Sequence, residues 1–166
     1  DFETVFQAVT AHVTRAAEKL RQYGLVAGTL TVFFHTNRYR PDRPQYSGSR
    51  TTRMMSMSSD TFELVQAARR CAEAAWPRDE TMEYGFTKAG VMVNDLLPIG
   101  DKRQTLFDRS EASPSPAMIA LDKINDRFGK KTMVLASEGL KQPWKMRADH
   151  CSPRYTTRLS DLPVVR

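Results

Sequence analysis

The spacing of apolar residues alternates between a helical and a strand-like period over the first hundred positions, and this alternation constrains the fold most. Across residues 2–20, apolar side chains recur every three or four positions, which predicts an amphipathic helix closed by Gly24. Residues 29–36 are β-branched and aromatic and alternate in character, which predicts a strand. One face of this strand carries Leu30, Val32 and Phe34.

Two more strands and a second helix complete this region. Residues 49–57 are predicted as a strand, and residues 60–63 have the capping-box pattern of a helix that Pro77 terminates. Residues 84–97 are predicted as a long strand, in which Gly90 allows close approach of another backbone. The order helix, strand, strand, helix, strand predicts an α+β fold with a small antiparallel or mixed sheet and two helices on one face.

The remaining residues are predicted to form a linker and a small basic extension. Charged residues, serines and prolines dominate the linker, and Ser115 with Pro116 has the N-cap pattern of a third helix that ends at Gly129. Residues 132–136 are predicted as a short strand. We therefore expect a first domain over residues 1–97, a linker over 98–116 and an extension over 117–166.

The charge balance favours a polyanionic partner. Lys and Arg number 25 against 19 Asp and Glu, which gives a formal net charge of +6. Basic residues also outnumber acidic ones beyond position 128. The alternative is a basic protein whose charge serves solubility alone.

Motifs for catalysis, cofactors and membrane insertion are missing from the sequence. It contains no phosphate-binding glycine loop, no H-E-x-x-H and no G-x-S-x-G. Cys71 and Cys151 lack metal-ligand spacing, and Cys71 is predicted as a core residue of the second helix. No apolar run approaches the ~20 residues of a membrane-spanning helix. We expect no metal, no cofactor and no membrane contact, and a cytoplasmic location. Because the sequence begins with Asp1 rather than Met, we expect a protein that is processed or part of a longer one.

Basic residues in or beside the strands are the candidate DNA contacts. Arginine, serine and threonine side chains commonly meet phosphate oxygens, and all three types are interleaved here. The alternative is a solvated sheet face, and composition leaves both interpretations open. The candidate contacts are Arg38, Arg40, Arg43, Arg50, Arg53 and Lys88, of which the first three lie in a loop predicted to be mobile.

Leu106 and Phe107 are two large apolar residues in the polar linker. They either pack back on the domain or insert into a pocket of a partner. Both outcomes stay open at this point.

Four segments together resemble the C-terminal part of UmuC-type translesion DNA polymerases of the Y family. In order along essentially the whole chain they are residues 16–21 (AAEKLR), 88–92 (KAGVM), 106–108 (LFD) and 152–158 (SPRYTTR). The resemblance implies that residues 1–97 are the little finger, the DNA-binding domain that grips primer-template DNA. It also implies that Gln104, Leu106 and Phe107 belong to a peptide that binds the sliding clamp, although Arg103 takes the place of the usual first glutamine.

The resemblance carries further expectations about architecture and partners. A little finger begins with a strand, whereas this chain starts at the first helix, so one sheet position is expected to be empty or filled by something else. The catalytic carboxylates of such polymerases lie in a palm outside this chain, which should therefore not polymerise DNA alone. A UmuD′-type subunit and RecA are implied partners. The competing functions are a protein-interaction module without DNA contact and a free-standing enzyme.

Overall fold

The computed structural model describes residues 1–79, 81–102, 114–145 and 151–162. These residues form an α+β fold in the predicted order of elements. The helices are α1 (Phe2–Gln22), α2 (Thr61–Ala75) and α3 (Pro116–Phe128), and the strands are β1 (Leu25–Thr36), β2 (Ser47–Ser58) and β3 (Phe86–Pro98). Short 3-10 turns cover Ile99–Asp101, Ala136–Glu138 and Leu159–Asp161. The predicted fold class is confirmed.

The sheet has the order β2-β1-β3, and both pairs of neighbours are antiparallel. Since β1 lies in the centre, its residues fix the register: Val32 stands opposite Arg50 on one side and Val91 on the other. Within the described residues no fourth strand pairs with β2 or β3. The outer edges of the sheet are therefore unpaired there.

Helices α1 and α2 pack on one face of the sheet and enclose the core. The prediction that Leu30, Val32 and Phe34 share one face of β1 is confirmed, and this face lies on the core, because all three are fully buried. Cys71 of α2 is buried in the same core, as predicted. The helices contribute mainly Phe6, Val9, Val13, Ala17, Leu20, Leu64, Ala68, Cys71 and Ala72.

Helix α2 begins at the predicted cap. The Asp60 carboxylate accepts hydrogen bonds from the backbone N–H groups of Phe62 (2.8 Å) and Glu63 (3.4 Å). Its second oxygen accepts a hydrogen bond from the Ser115 hydroxyl at 2.7 Å, just before α3 starts. The cap of α2 therefore also holds the start of α3.

The strand predicted over residues 132–136 is wrong. This segment forms a bend and then the 3-10 turn Ala136–Glu138. The side chain of Asn125 accepts a hydrogen bond from the N–H of Met133 at 2.8 Å and donates one to its carbonyl at 3.0 Å. Because these are the backbone groups that strand pairing would use, a side chain of α3 replaces the strand partner.

Helix α3 and the residues that follow it, up to position 145, contact α1. The Arg21 guanidinium binds the Asp122 carboxylate through Nε (2.6 Å) and Nη2 (2.7 Å), and its Nη1 donates to the carbonyl of Ser59 and the hydroxyl of Thr61. Farther along, the Trp144 ring lies 6.4 Å from the His12 ring. Burial, with Arg15 and Lys131 as weaker causes, lowers the pKa of His12. The extension is thus docked on the helical layer.

Candidate nucleic-acid interface

The face of the sheet without helices, called the open face below, is lined by polar side chains. Strand register assigns its members, because directly opposed residues of antiparallel strands point to the same side. Thr29 stands opposite Arg53 and Asn94, and His35 stands opposite Ser47 and Lys88. The open face comprises Thr29, Thr31, Phe33, His35, Ser47, Ser49, Thr51, Arg53, Lys88, Gly90, Met92 and Asn94, and none of these is acidic.

The centre of the open face is flat because an aromatic ring lies across a glycine. A Cβ atom on Gly90 would stand 2.6 Å from the ring of Phe33, its partner on β1. The group that approaches Gly90 is therefore a side chain, whereas the sequence predicted a backbone. Beside this ring, the hydroxyl oxygens of Thr31 and Thr51 are 2.8 Å apart and share a hydrogen bond. No bulky side chain at Gly90 interrupts this surface.

Arg53 and Lys88 stand near opposite ends of the open face. Both side chains are exposed, and neither has an ion-pair partner within the described residues. Their partners on β1, Thr29 and His35, are six positions apart. At a strand rise of 3.3 Å per residue this is a separation of about 20 Å along the strand. The face therefore carries unneutralised positive charge at both ends.

Arg50 lies on the other side of the sheet. It stands opposite Val32, whose side chain is in the core, and it is exposed beside α2. Burial raises the pKa of the Cys71 thiol of α2, while the nearby charges of Arg70 and Arg50 act in the opposite direction. The structure thus places Arg50 and Arg53, which were both predicted as DNA contacts, on opposite faces of the sheet.

The loop between β1 and β2, residues 37–46, holds the other three candidate arginines. Its shape is fixed by Gln45, whose amide donates to the carbonyls of Arg40 (2.8 Å) and Arg43 (3.1 Å) and accepts from the Thr36 hydroxyl (2.9 Å). Arg38 lies over the Tyr39 ring, 5.5 Å from its centre. The loop joins β1 and β2 next to His35 and Ser47, so it borders the Lys88 end of the open face.

Arg40 is already neutralised. Its guanidinium pairs with Asp42 through two contacts of 3.1 and 3.2 Å, and this hydrogen bonding lowers the pKa of Asp42.

The clamp-binding candidates Gln104, Leu106 and Phe107 lie outside the described residues. Within those residues, no cluster of three His, Cys, Asp or Glu side chains is suited to a metal ion, and no helix combines the length and apolar character needed to cross a bilayer.

Comparison with known proteins shows the family of the domain that carries the open face. Residues 1–106, which include every strand of the sheet, match the impB/mucB/samB family C-terminal domain. The chain belongs to this family. Residues 116–165 match a second family, a domain of unknown function (DUF4113). The open face lies within the impB/mucB/samB domain, while α3 and the residues that follow it lie within the second match.

Individual relatives of the impB/mucB/samB domain cover the whole chain. It is 35% identical to the protein UmuC of Salmonella typhimurium over 100% of the chain, and 32% identical to SamB of the same organism over 99%. It is 34% identical to MucB of Escherichia coli over 95% of the chain. The chain spans only 39%, 38% and 36% of the lengths of these relatives.

Several features of the open face had no recognisable signal in the sequence. The stacking of Phe33 on Gly90 joins residues 57 positions apart, and the Thr31–Thr51 hydrogen bond depends on strand register. Alternation in β1 placed Phe33 on the face opposite Leu30, Val32 and Phe34, as the structure has it. It gave no indication of the residue that Phe33 would cover.

Proposed function

We propose that the chain binds primer-template DNA as the little finger of a Y-family translesion polymerase, with the DNA backbone along the open face. One observation carries the proposal: the residues that register assigns to the open face include no acidic side chain, and Arg53 and Lys88 lie near its two ends without ion-pair partners in the described part of the chain. This face belongs to a domain of the impB/mucB/samB family. Arg38, Arg40 and Arg43 at the loop end are included among the proposed contacts. Arg50 is left out because it lies on the helix side.

The chemistry of the open face suits phosphate rather than base recognition. Arginine, lysine and hydroxyl side chains bind phosphate and sugar, and such contacts position DNA without reading its sequence. The separation of about 20 Å between Arg53 and Lys88 corresponds to about six base steps of 3.4 Å. Binding of this kind suits a polymerase that must accept any template.

Replacing Arg53 with alanine is expected to weaken DNA binding and to lower the slope of log affinity against log salt by about one, because one phosphate contact is lost. The matched control is Arg50→Ala, which removes the same charge from the same strand on the other face and should leave the slope unchanged. The measurement is a fluorescence-anisotropy titration of the full chain on two unrelated primer-templates at several salt concentrations.

Equal slopes for the Arg53 and Arg50 variants would contradict the assignment of the open face. Loss of binding on only one of the two sequences would contradict backbone recognition. An absence of salt-dependent DNA binding in the unmodified chain would favour a protein-interaction module instead. The exposed apolar side chains of the extension, such as Phe128 and Leu140, are the feature that favours this second function.

The proposed parent protein is an error-prone polymerase of the SOS response. In this proposal its catalytic carboxylates lie outside the present chain, which contributes DNA grip and recruitment and needs no cofactor of its own. Sliding clamp, a UmuD′-type subunit and RecA are the proposed protein partners, and the cytoplasm is the proposed location. The family membership of residues 1–106 supports this assignment.

Gln104, Leu106 and Phe107 are proposed to dock on the sliding clamp. Leu106→Ala combined with Phe107→Ala should weaken clamp binding by about tenfold or more, since a short peptide of this kind relies on its apolar anchors. The thermal midpoint should stay unchanged. The control is Leu140→Ala, which truncates a leucine that is 97% exposed. A double variant that unfolds several degrees early and still binds the clamp would show that these residues belong to the core.

A further inference from the structure

A small pocket lies where the loop 37–46 meets the start of β3. Its volume is about 110 Å³, and it borders the Lys88 end of the open face. Residues from two distant parts of the sequence form it. The lining residues are Thr36, Asn37, Arg40, Arg43, Pro44, Gln45, Gly85 and Thr87.

The charge of this pocket is positive. Its lining includes two arginines and no acidic residue. Asp42 pairs with Arg40 but does not line the pocket. Arg43 has no ion-pair or hydrogen-bond partner for its guanidinium within the described residues. Arg43 is therefore the group whose charge an incoming anion would neutralise.

The backbone of Arg43 is fixed by a hydrogen bond, and its guanidinium lies beside Gly85. Gln45 donates a hydrogen bond to the Arg43 carbonyl at 3.1 Å, which fixes the backbone. A Cβ atom added to Gly85 would stand 3.5 Å from Arg43 Nη1, so the guanidinium lies close beside the glycine. Asn37 adds an unused donor, because its Oδ1 accepts from the Tyr39 N–H while its NH₂ group makes no hydrogen bond within the described residues. A loop whose backbone is already fixed lowers the ordering cost of binding.

The size of the pocket selects the ligand. Pockets for drug-sized molecules enclose about 300 Å³ or more, which is larger than this pocket. A volume of about 110 Å³ does hold a group the size of a phosphate. The Arg43 guanidinium and the Asn37 amide supply the donors that phosphate oxygens accept.

We propose that this pocket, the Arg43 pocket, binds a single backbone phosphate of the DNA strand that lies on the open face. The proposal rests on the proposed function and adds to it one DNA phosphate that is bound at a defined position. The bound phosphate would set where the strand leaves the sheet, since the pocket stands at the end of the face beside Lys88 and His35. Arg43 would donate to the phosphate oxygens, and Asn37 would add a second donor.

The test uses primer-templates in which one phosphate at a time is replaced by a neutral methylphosphonate. With the unmodified chain, one position is expected to weaken binding more than its neighbours do. With Arg43→Ala, overall affinity should fall and the response at that one position should disappear. Arg50→Ala is the control, because it removes an exposed arginine that lies on the helix side of the sheet and does not line the pocket. Its response to each neutral phosphate should match that of the unmodified chain.

Gly85→Val fills part of the pocket without changing charge and should remove the same single-position response. If Arg43→Ala and Arg50→Ala respond alike at every position, while Arg53→Ala still lowers the salt slope, the pocket proposal fails and the proposed function stands. If the unmodified chain shows no salt-dependent DNA binding, both fail. If inorganic phosphate raises the thermal midpoint through Arg43 while DNA binding does not depend on Arg43, the pocket takes a free anion and the DNA-phosphate assignment is overturned.

Discussion

Replacing Asp122 with alanine is expected to weaken the docking of α3 on α1 by about 3–5 kcal/mol, because the variant leaves a buried guanidinium without its carboxylate. The side chain of Arg21 is only 4% exposed, and that of Asp122 is 25% exposed. Both carboxylate oxygens of Asp122 accept hydrogen bonds from Arg21. Alanine would leave Arg21 with only the carbonyl of Ser59 and the hydroxyl of Thr61 as partners.

Hydrogen exchange of the α3 amides is the measurement that reports this loss. The α3 amides should exchange roughly a hundredfold or more faster, because docking weakened by about 3 kcal/mol or more raises the population of the open form by that factor. Asp42→Ala is the control, since the Arg40–Asp42 pair is exposed and exposed pairs contribute little. Unchanged exchange in the Asp122 variant would show that the ion pair does not hold the helix.

Gly48→Ala is expected to lower the free energy of unfolding by about 3 kcal/mol, because β2 passes very close to the end of α2. A Cβ atom at position 48 would stand 2.5 Å from the backbone carbonyl oxygen of Ala75 and 2.7 Å from the ring of Tyr46. The Tyr46 hydroxyl also donates a hydrogen bond to that carbonyl at 2.6 Å. Since the obstacle is backbone, the strand or the helix must shift.

Urea unfolding followed by tryptophan fluorescence would measure this change, because Trp76 directly follows α2. Gly100→Ala is the matched control: a Cβ atom there meets nothing within 4 Å, so stability should be nearly unchanged. Equal midpoints for the two variants would contradict the close approach of β2 and α2.

The elements of the first hundred residues could be predicted because their signals are local. The two faces of β1 follow from alternation, and the start of α2 follows from the capping pattern at Asp60. The strand predicted over residues 132–136 failed because the side chain of Asn125 takes up the backbone groups of Met133. The strand propensity of residues 132–136 gives no indication of these hydrogen bonds with Asn125.

The candidate site could be predicted only as a set of residue types. Basic residues near strands were visible in the sequence, but the face on which each lies depends on register, which places Arg53 and Arg50 on opposite sides. The Arg43 pocket brings together residues from the loop 37–46 and from Gly85. The contact between Arg21 and Asp122 spans 101 positions. Such long-range contacts carry no local sequence signal.

The extension contacts α1, which packs on the sheet face opposite the open face, so the core separates the extension from the open face. A molecule held by the extension on that side and a strand lying across the sheet do not compete for the same space. Substitutions on the two sides share no partners, so their effects on binding should add. Under the proposed function, one copy of the chain would hold a protein on its helical side and DNA on its strands at the same time.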